Sequence, residues 1–256
     1  MSRPPLRAVL FDWGDTLVRY PGFSTDEKGH LDAVLAWYRW LVGQAHATCP
    51  ELAAVGIHHF ADAYRDAARA QFATMAQTAA DQPMAERVGA TLRRCGCRCA
   101  LPSPMLVSYR DGLLAELGSR CAAMPAAGEV LRQLRDHVAL GVVSNFPEAD
   151  FVHGTLAQFG LSPWLDVVVV SVDVGRMKPH PLPFQVALDS LSVDATEVLF
   201  VGDDLRSDMA GAKALGMQTA WVPLDSVAAG PHDPNVDHRL VALPDLLDVL
   251  AASRTL

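Results

Sequence analysis

Acidic side chains follow two apolar segments that are typical of buried strands. Asp12 comes directly after residues 6–11, and Asp203 follows residues 198–201, with Asp208 close to the start of the next helical segment. Several carboxylates at one edge of a sheet repel each other unless a cation lies between them. Oxygen ligands of this kind suit Mg²⁺. The alternative is that each aspartate caps the helix that follows it, and for Asp208 this alternative stays open.

Two further polar groups follow other apolar segments. Lys178 is one of only three lysines in the chain, and it lies downstream of residues 167–170. A compact ammonium there could offset the carboxylates and hold a phosphoryl oxygen. Ser144 ends another apolar segment and offers its hydroxyl, and the turn at Asn145 offers backbone amides, to the same oxygen.

These residues need a parallel sheet to bring them together. The apolar segments alternate with helix-like segments, and most of them are apolar throughout, which is typical of parallel strands covered on both faces. Ligands of such sheets lie beyond the carboxyl ends of the strands. The sequence therefore predicts an α/β fold with a Rossmann-like parallel sheet flanked by helices. The predicted strands are residues 6–11, 138–143, 167–170, 198–201 and 218–222.

A helical block separates the first predicted strand from the others. Its apolar residues recur at spacings of three and four, as in Leu31, Val34, Leu35, Tyr38 and Leu41. We predict a sheet domain made of residues 1–18 and 122–256, with an inserted helical domain at 19–121. The helices expected in the insertion are residues 30–47, 51–80, 84–94 and 104–117.

Composition excludes several classes of protein. Half of the 256 residues are hydrophobic and 20% are charged, which excludes a disordered chain. The net charge of −8 disfavours a nucleic-acid partner. The first residues lack a signal-peptide pattern and no apolar run reaches about 18 residues, so we expect a soluble cytoplasmic protein without a membrane partner.

The five cysteines include a close group, Cys95, Cys97 and Cys99. Structural zinc sites usually separate paired ligands by two to four residues and need a second pair. We therefore interpret these cysteines as small residues at a helix end or in a loop, and the group's role stays open.

The motif at residues 11–17, Phe-Asp-Trp-Gly-Asp-Thr-Leu, resembles the first motif of the haloacid dehalogenase superfamily of hydrolases, most of which are phosphatases. The resemblance implies that Asp12 is the covalent nucleophile and forms an aspartyl-phosphate with a phosphate ester. It also implies that the carbonyl of Gly14 is a Mg²⁺ ligand. Thr16 belongs to the same motif, and the helical block is placed like the α-helical cap of that family.

The later strand ends are similar to the remaining motifs of the superfamily. Ser144 matches the second motif and Lys178 the third, while Asp203 and Asp208 match the fourth, in which the first aspartate binds Mg²⁺. We expect Asp208 to orient Lys178 or a metal-bound water. The candidate catalytic residues are Asp12, Thr16, Ser144, Asn145 and Lys178, and the candidate metal ligands are Asp12, Gly14, Asp203 and Asp208.

The chain departs from the family at Gly14. Phosphatases of the superfamily carry a second aspartate there as general acid and base, and such catalysis is worth about 10²–10⁴-fold. Asp15, Asp204 or the pair His58 and His59 are candidate substitutes. Asp15 is disfavoured if the loop is extended, because successive extended residues point in opposite directions.

Three explanations of Gly14 remain. The protein is a Mg²⁺-dependent phosphatase of a small phosphorylated metabolite, which we prefer; or it catalyses non-ester hydrolysis as dehalogenases do; or it binds a metabolite without turnover. Phosphonoacetaldehyde hydrolases also lack the second aspartate but need a Schiff-base lysine in the cap. Lys28, at the start of the helical block, is the only lysine available there. Dehalogenases generally alter the acidic fourth motif, whereas Asp203 and Asp208 are both present.

Overall fold

A computed structural model describes residues 4–21, 27–45, 49–81, 83–98, 103–224 and 233–252 of the chain. The chain divides into two compact units. One unit joins Met1–Arg19 to Ala122–Leu256, and the other is Tyr20–Cys121. Cys99 lies outside the described residues.

Strands occur in the first of these units. The described strands are β1 (Ala8–Phe11), β2 (Val18–Arg19), β3 (Ala122–Ala123), β4 (Ala139–Ser144), β5 (Val167–Val170), β6 (Val198–Gly202), β7 (Gln218–Trp221) and β8 (His238–Arg239). Six of them form one sheet in the order β5-β4-β1-β6-β7-β8, and every neighbouring pair is parallel. β2 and β3 form a separate antiparallel pair.

β1 lies in the middle of the sheet, between β4 and β6. All four of its side chains are completely buried, which explains why its sequence is apolar throughout rather than alternating. The predicted Rossmann-like α/β class is confirmed. The two-residue strands β2, β3 and β8 were not predicted, because segments so short carry no periodic pattern.

Helices flank the sheet and make up the regular structure of the second unit. The described α-helices are α1 (Glu27–Ala45), α2 (Pro50–Ala53), α3 (Ile57–Thr78), α4 (Met84–Arg94), α5 (Ser103–Ser119), α6 (Ala127–Leu134), α7 (Ala149–Gln158), α8 (Ser171–Val174), α9 (Pro181–Leu191), α10 (Ala210–Ala214) and α11 (Asp245–Ala252). Short 3₁₀ segments lie at Ser162–Trp164 and Ala195–Glu197, and a π-helical segment at Leu205–Met209 leads into α10.

In the helical unit, α1 packs against α3 and α5, and α3 packs along α4. The single helix expected over residues 51–80 is wrong, because α2 ends at Ala53 and α3 begins at Ile57. Gly56, the residue before α3, has an extended conformation (ψ 147°), which interrupts the helix. Among the described residues, no helix has both the length and the apolar character that crossing a membrane requires.

The free thiols of Cys95 and Cys97 follow the C-terminal end of α4. Burial and the neighbouring Cys97 raise the pKa of the Cys95 thiol to about 11, so in metal-free protein this thiol stays protonated near neutral pH. In the described part of the chain, the one side-chain group with metal-binding geometry is made of aspartates in the other unit.

Candidate active site

The polar residues named from the sequence meet at the carboxyl ends of three neighbouring strands. Asp12 follows β1, Ser144 ends β4, and Asp203 follows β6. Phe11 pairs with Val142 of β4 on one side and with Val201 of β6 on the other, so the three strands end nearly level. The parallel register therefore places these groups at one edge.

Asp12 and Lys178 form the centre of this edge. The backbone N–H of Asp12 donates to the Val201 carbonyl at 2.8 Å, which continues the pairing of β1 with β6 by one residue. Lys178 Nζ donates to Asp12 Oδ1 at 2.7 Å and forms an ion pair with Asp208 Oδ1 at 2.8 Å. The Lys178 side chain is 1% exposed and that of Asp12 is 14% exposed, so the carboxylate keeps access to solvent.

Lys178 is a charged ammonium in this environment. Burial lowers its pKa, but the charges and hydrogen bonds of Asp12 and Asp208 raise it more, and the net pKa lies above its ordinary value. Phe200 of β6 adds an aromatic face, with Nζ 5.3 Å from the ring centre. A fixed positive charge therefore lies directly beside the candidate nucleophile.

Asn145 holds the backbone of Lys178 in place. Its Nδ2 donates to the Lys178 carbonyl at 2.9 Å, and its Oδ1 accepts from the Lys178 N–H at 2.7 Å. Both polar ends of the amide are thus engaged with the backbone. This geometry makes Asn145 a positioning residue for Lys178, while its expected catalytic role stays a prediction.

Three carboxylates share the same edge. One oxygen of each of Asp12, Asp203 and Asp208 lies within 4.8 Å of the others. Burial, followed by the charges of Asp12, Asp208 and Asp15, raises the pKa of Asp203 to about 9. Burial also raises the pKa of Asp208, to about 7, although the adjacent Lys178 opposes the shift. In metal-free protein the raised pKa values keep protons on these carboxylates, and a divalent cation could replace those protons and hold the groups in their ionised form.

Close backbone packing brings Asp208 to the end of β6. A Cβ at Gly202 would lie 2.3 Å from Asp208 Oδ2, so only glycine leaves room for that carboxylate. The same oxygen accepts from the Asp204 N–H at 3.2 Å. Asp208 is therefore placed to orient Lys178, while its expected role as a metal ligand stays a prediction.

Sequence reasoning missed Trp221, which holds the backbone of Asp203, one of the candidate metal ligands. Its Nε1 donates to the Asp203 carbonyl at 2.7 Å, and the Arg239 guanidinium lies 4.7 Å from its ring centre. Trp221 is the last residue of β7, the strand beside β6. Its position after an apolar strand is a sequence signal, but the hydrogen bond depends on strand order, which the sequence does not give.

The loop after β1 is a tight turn. The Trp13 carbonyl accepts from the N–H groups of Leu17 and Val18 at 3.0 and 2.9 Å, and the Asp15 N–H donates to the Val18 carbonyl at 2.7 Å. Asp15 has a φ of 56°, the left-handed region, so the loop is not extended there. The alternation that disfavoured Asp15 as a substitute acid therefore does not apply. Its carboxylate contributes to the raised pKa of Asp203.

Gly14 has space for a Cβ atom. A Cβ added at Gly14 would meet no atom within 4 Å. Steric contact at Cβ therefore does not explain why glycine rather than aspartate occupies this position.

Two hydroxyl groups of the candidate set are buried at this edge. Ser144 and Thr16 are each 1% exposed. Thr16 Oγ1 has no hydrogen-bond partner among the described residues, so it is an orphaned polar atom beside the turn. Nothing places Thr16 in contact with Asp12 or Lys178.

The other proposed substitute acids are engaged or exposed. Asp204 Oδ1 accepts from the N–H groups of Arg206 and Ser207 and caps the π-helical segment. Its carboxylate therefore has a structural role. His58 and His59 are exposed at the start of α3 in the helical unit.

Comparison with known proteins identifies relatives of this chain. The family model described as haloacid dehalogenase-like hydrolase matches residues 74–222, more than half of the 256 residues. Asp12 lies before the matched region, so its assignment depends on the motif and the geometry above.

Several curated relatives are phosphatases by name. The chain is 28% identical over 152 residues to ribulose-1,5-bisphosphate 5-phosphatase of Halopiger xanaduensis, covering 56% of this chain and 62% of that protein. It is 31% identical over 162 residues to N-acetylmuramic acid 6-phosphate phosphatase of Pseudomonas aeruginosa, covering 59% and 69%. It is 33% identical over 114 residues to pyrimidine 5'-nucleotidase YjjG of Escherichia coli, covering 44% and 50%. The chain thus spans about half to two thirds of these relatives.

Solved structures share the fold over nearly the whole chain. A HAD phosphatase from Thermococcus onnurineus matches with a TM-score of 0.67 and 21% identity, covering 96% of this chain and 98% of that one. A 2-haloacid dehalogenase from Pseudomonas syringae matches with a TM-score of 0.70 and 23% identity, covering 96% and 99%. Because both phosphatases and dehalogenases have this fold, it does not distinguish between the two reactions.

Proposed function

We propose that this chain, which belongs to the family of haloacid dehalogenase-like hydrolases, hydrolyses a small phosphorylated compound with Mg²⁺ as cofactor and Asp12 as nucleophile. The observation that carries the proposal is the contact of Lys178 with both Asp12 and Asp208 beside the carboxylate of Asp203. The phosphatase names of the curated relatives support the substrate class.

The donor set fits Mg²⁺. This ion prefers a few carboxylate oxygens together with waters and substrate phosphate. Asp12 and Asp203 each offer a carboxylate oxygen within 4.8 Å of the other, and the carbonyl of Gly14 is the third ligand that the family resemblance implies. The raised pKa of Asp203 supports this assignment, because a cation would remove the repulsion that burial and the neighbouring carboxylates produce.

The first chemical step that we propose is attack on phosphorus by Asp12. A bond forms between the Asp12 carboxylate and phosphorus, the bond from phosphorus to the ester oxygen breaks, and the leaving oxygen takes its proton from solvent water. Water then attacks the aspartyl-phosphate, which releases inorganic phosphate and restores Asp12. Bound Mg²⁺ would supply charge neutralisation at the phosphoryl group.

The other residues of the site hold the phosphoryl group during this reaction. The Lys178 ammonium already contacts Asp12 Oδ1 at 2.7 Å, so a phosphoryl group bonded to Asp12 would lie within its reach. The buried Ser144 hydroxyl, one strand away at the end of β4, is the second donor that we propose. Asn145 fixes Lys178 through its backbone and does not need to touch the substrate.

Proton delivery to the leaving group is the step that Gly14 alters. Without a second aspartate at this position, substrates whose leaving group needs no proton would react fastest. Dehalogenase-type chemistry remains the second candidate, because a halide leaves without a proton. The two carboxylates Asp203 and Asp208 weigh against it, because they provide the metal-binding edge that phosphoryl transfer uses.

We further propose that the helical unit, Tyr20–Cys121, selects the substrate, as the caps of this family do, and that the protein acts in the cytoplasm on phosphorylated metabolites. Nucleic acid and membrane are not part of this proposal. The net charge of −8 supports the exclusion of nucleic acid.

The proposal is tested by phosphate release from a panel of phosphorylated metabolites, with and without Mg²⁺, using wild type and Asp12→Asn. Release that requires both Mg²⁺ and Asp12 is the expected result. If no phosphate is released while haloacids are dehalogenated, the second candidate replaces the first. If neither reaction occurs and a phosphorylated metabolite still binds, the protein is a binding module.

A further inference from the structure

A pocket of about 200 Å³ lies between α3 and α4 of the helical unit. Three of the described lining residues are alanines, whose side chains are small. The remaining lining residues are polar, with three positive charges against one negative: Gln71, Thr74, Glu86, Arg87, Arg93 and Arg94. The pocket is therefore positively charged in a chain whose net charge is −8.

Arg87 is the buried member of this group. It is only 4% exposed, yet its hydrogen-bond partners are neutral: Nε donates to Gln71 Oε1 at 2.6 Å and Nη1 donates to the Tyr64 hydroxyl at 3.3 Å. The guanidinium also lies 5.0 Å from the ring centre of Phe72. A buried charge is costly unless an opposite charge is near.

No carboxylate in the described part of the chain pairs with any of the three pocket arginines. Arg93 and Arg94 are exposed at the rim, one helical turn or more beyond Arg87 on α4. Other arginines of the helical unit do form ion pairs with acidic residues nearby in the sequence, as Arg65 does with Asp62 and Arg120 with Glu116. The pocket arginines instead share an opening that an anion could enter.

A hydrogen-bond chain behind Arg87 fixes it without neutralising it. His30 Nδ1 lies 3.3 Å from the Pro21 carbonyl, and its Nε2 lies 3.1 Å from the Tyr64 hydroxyl. Because a carbonyl only accepts, Nδ1 must donate, which leaves Nε2 to accept the Tyr64 proton in the neutral tautomer. The Tyr64 oxygen is then free to accept from Arg87. The chain provides orientation and no negative charge.

We propose that this pocket binds a small oxyanion, a phosphate or carboxylate group, between the buried Arg87 and the rim residues Arg93 and Arg94. The planar guanidinium suits such groups because its N–H donors match two oxygens at once. Gln71, Tyr64 and Phe72 hold Arg87 in a fixed orientation, so little ordering is needed on binding. The inference does not depend on the proposed hydrolase activity.

The test uses the full chain in metal-free buffer with inorganic phosphate and, separately, malonate as probes. The ¹⁵N-labelled Nε–H signal of Arg87 is the readout, because this buried hydrogen-bonded group exchanges slowly with water. A saturable shift of that signal is expected with at least one probe. A shift with phosphate alone assigns the site to phosphorylated ligands, a shift with malonate alone assigns it to carboxylates, and shifts with both assign it to oxyanions generally.

Variants at exposed positions separate this site from general electrostatics. The double variant Arg93→Gln and Arg94→Gln is expected to weaken binding at least about tenfold, because two charge-assisted contacts are lost. Glu86→Gln is expected to strengthen it by removing the only negative charge in the described lining. Arg69→Gln is the matched control, since Arg69 is exposed on α3 outside the described lining and pairs with Asp66 at 4.0 Å.

The absence of a saturable shift at millimolar concentrations of both probes would overturn the proposal. So would equal weakening by Arg69→Gln and by the double variant, because bulk charge would then explain the effect. The signal is assigned with Arg87→Lys. If that variant does not fold, Gln71→Glu, which keeps the acceptor oxygen and adds a charge, identifies the signal by its shift. Hydrolase activity is not part of the readout, so failure of the proposed reaction leaves this test unaffected.

Discussion

Gly14 is the residue at which the first motif departs from the pattern that the family resemblance implies. The turn that contains Gly14 is closed by backbone hydrogen bonds of Trp13, Asp15 and Val18, so it does not depend on a side chain at position 14. A Cβ at this position would meet no atom within 4 Å. The metal-binding role that we propose for the Gly14 carbonyl is thus separable from the proton transfer that an aspartate would provide.

We expect Gly14→Asp to raise kcat for phosphate esters with poor leaving groups by at least about tenfold, because a general acid is typically worth about 10²–10⁴-fold. The rise should be much smaller for an ester with a good leaving group such as p-nitrophenyl phosphate. Steady-state kinetics on both ester types measures the difference.

Gly14→Asn is the matched control, because it has nearly the same size and cannot transfer a proton. An equal gain in the asparagine variant would mean that side-chain volume, not proton transfer, changes the rate. No gain in a folded Gly14→Asp variant would mean that the protein does not use leaving-group protonation at this position.

The raised pKa values of Asp203 and Asp208 predict how the stability of the protein depends on pH. Their pKa values are raised from 3.8 to about 9 and about 7, so in metal-free protein the folded state holds these protons more tightly than the unfolded state. The stability associated with the protonated groups is present below the unfolded pKa and is lost as the pH rises toward the folded values. Mg²⁺ competes with these protons and should therefore stabilise the protein more at high pH.

Thermal unfolding with and without Mg²⁺ between pH 5.5 and 8.5 tests this expectation. The rise in Tm caused by Mg²⁺ should grow with pH in wild type and should be largely lost in Asp203→Asn. A constant rise across the range in wild type would mean that the bound ion does not contact these two carboxylates.

The elements around β6 determine whether Asp208 can reach the site. The strand ends at Gly202, and the π-helical segment Leu205–Met209 brings Asp208 back against that glycine. Phe200 lies in the same strand and faces the Lys178 ammonium. The strand, Gly202 and the π-helical segment together therefore position Asp208 beside Lys178.

Gly202→Ala is expected to lower the free energy of unfolding by about 1–3 kcal/mol, because its Cβ would overlap Asp208. Activity should fall as well, since Asp208 would move away from Lys178. Gly154→Ala in α7 is the control: nothing lies within 4 Å of its Cβ, and alanine favours a helix interior. Chemical denaturation of both variants gives the comparison, and equal stabilities would contradict this account of Gly202.

The sequence predicts those helices and strands that have a recognisable hydrophobic pattern along the chain. Continuous apolar strands and helical periodicity identify the parallel sheet, and the residues after each strand identify the edge where Asp12, Ser144 and Asp203 meet. Strand order cannot be read this way, so the hydrogen bond from Trp221 to Asp203 was missed. The left-handed Asp15 was missed for a similar reason, because its φ of 56° follows from the closed turn and not from residue type.

At the scale of the whole molecule, the proposed chemistry and the proposed selectivity belong to different units. The sheet unit holds the described carboxylate cluster and Lys178, and the helical unit holds a basic pocket built on Arg87. The fold is shared by phosphatases and dehalogenases, so neither the sheet nor the helices alone identify the reaction. The identity of the group that Asp12 attacks is what distinguishes the two.

The central claim is that Asp12 becomes phosphorylated during turnover. The most direct measurement is rapid quenching of the Mg²⁺-loaded enzyme with its best phosphate ester, followed by borohydride reduction, which converts an aspartyl-phosphate to homoserine, and peptide mass spectrometry. The account predicts homoserine at position 12 in wild type and none in Asp12→Asn. Turnover of the ester without any modification at Asp12, or modification at another carboxylate, would contradict it.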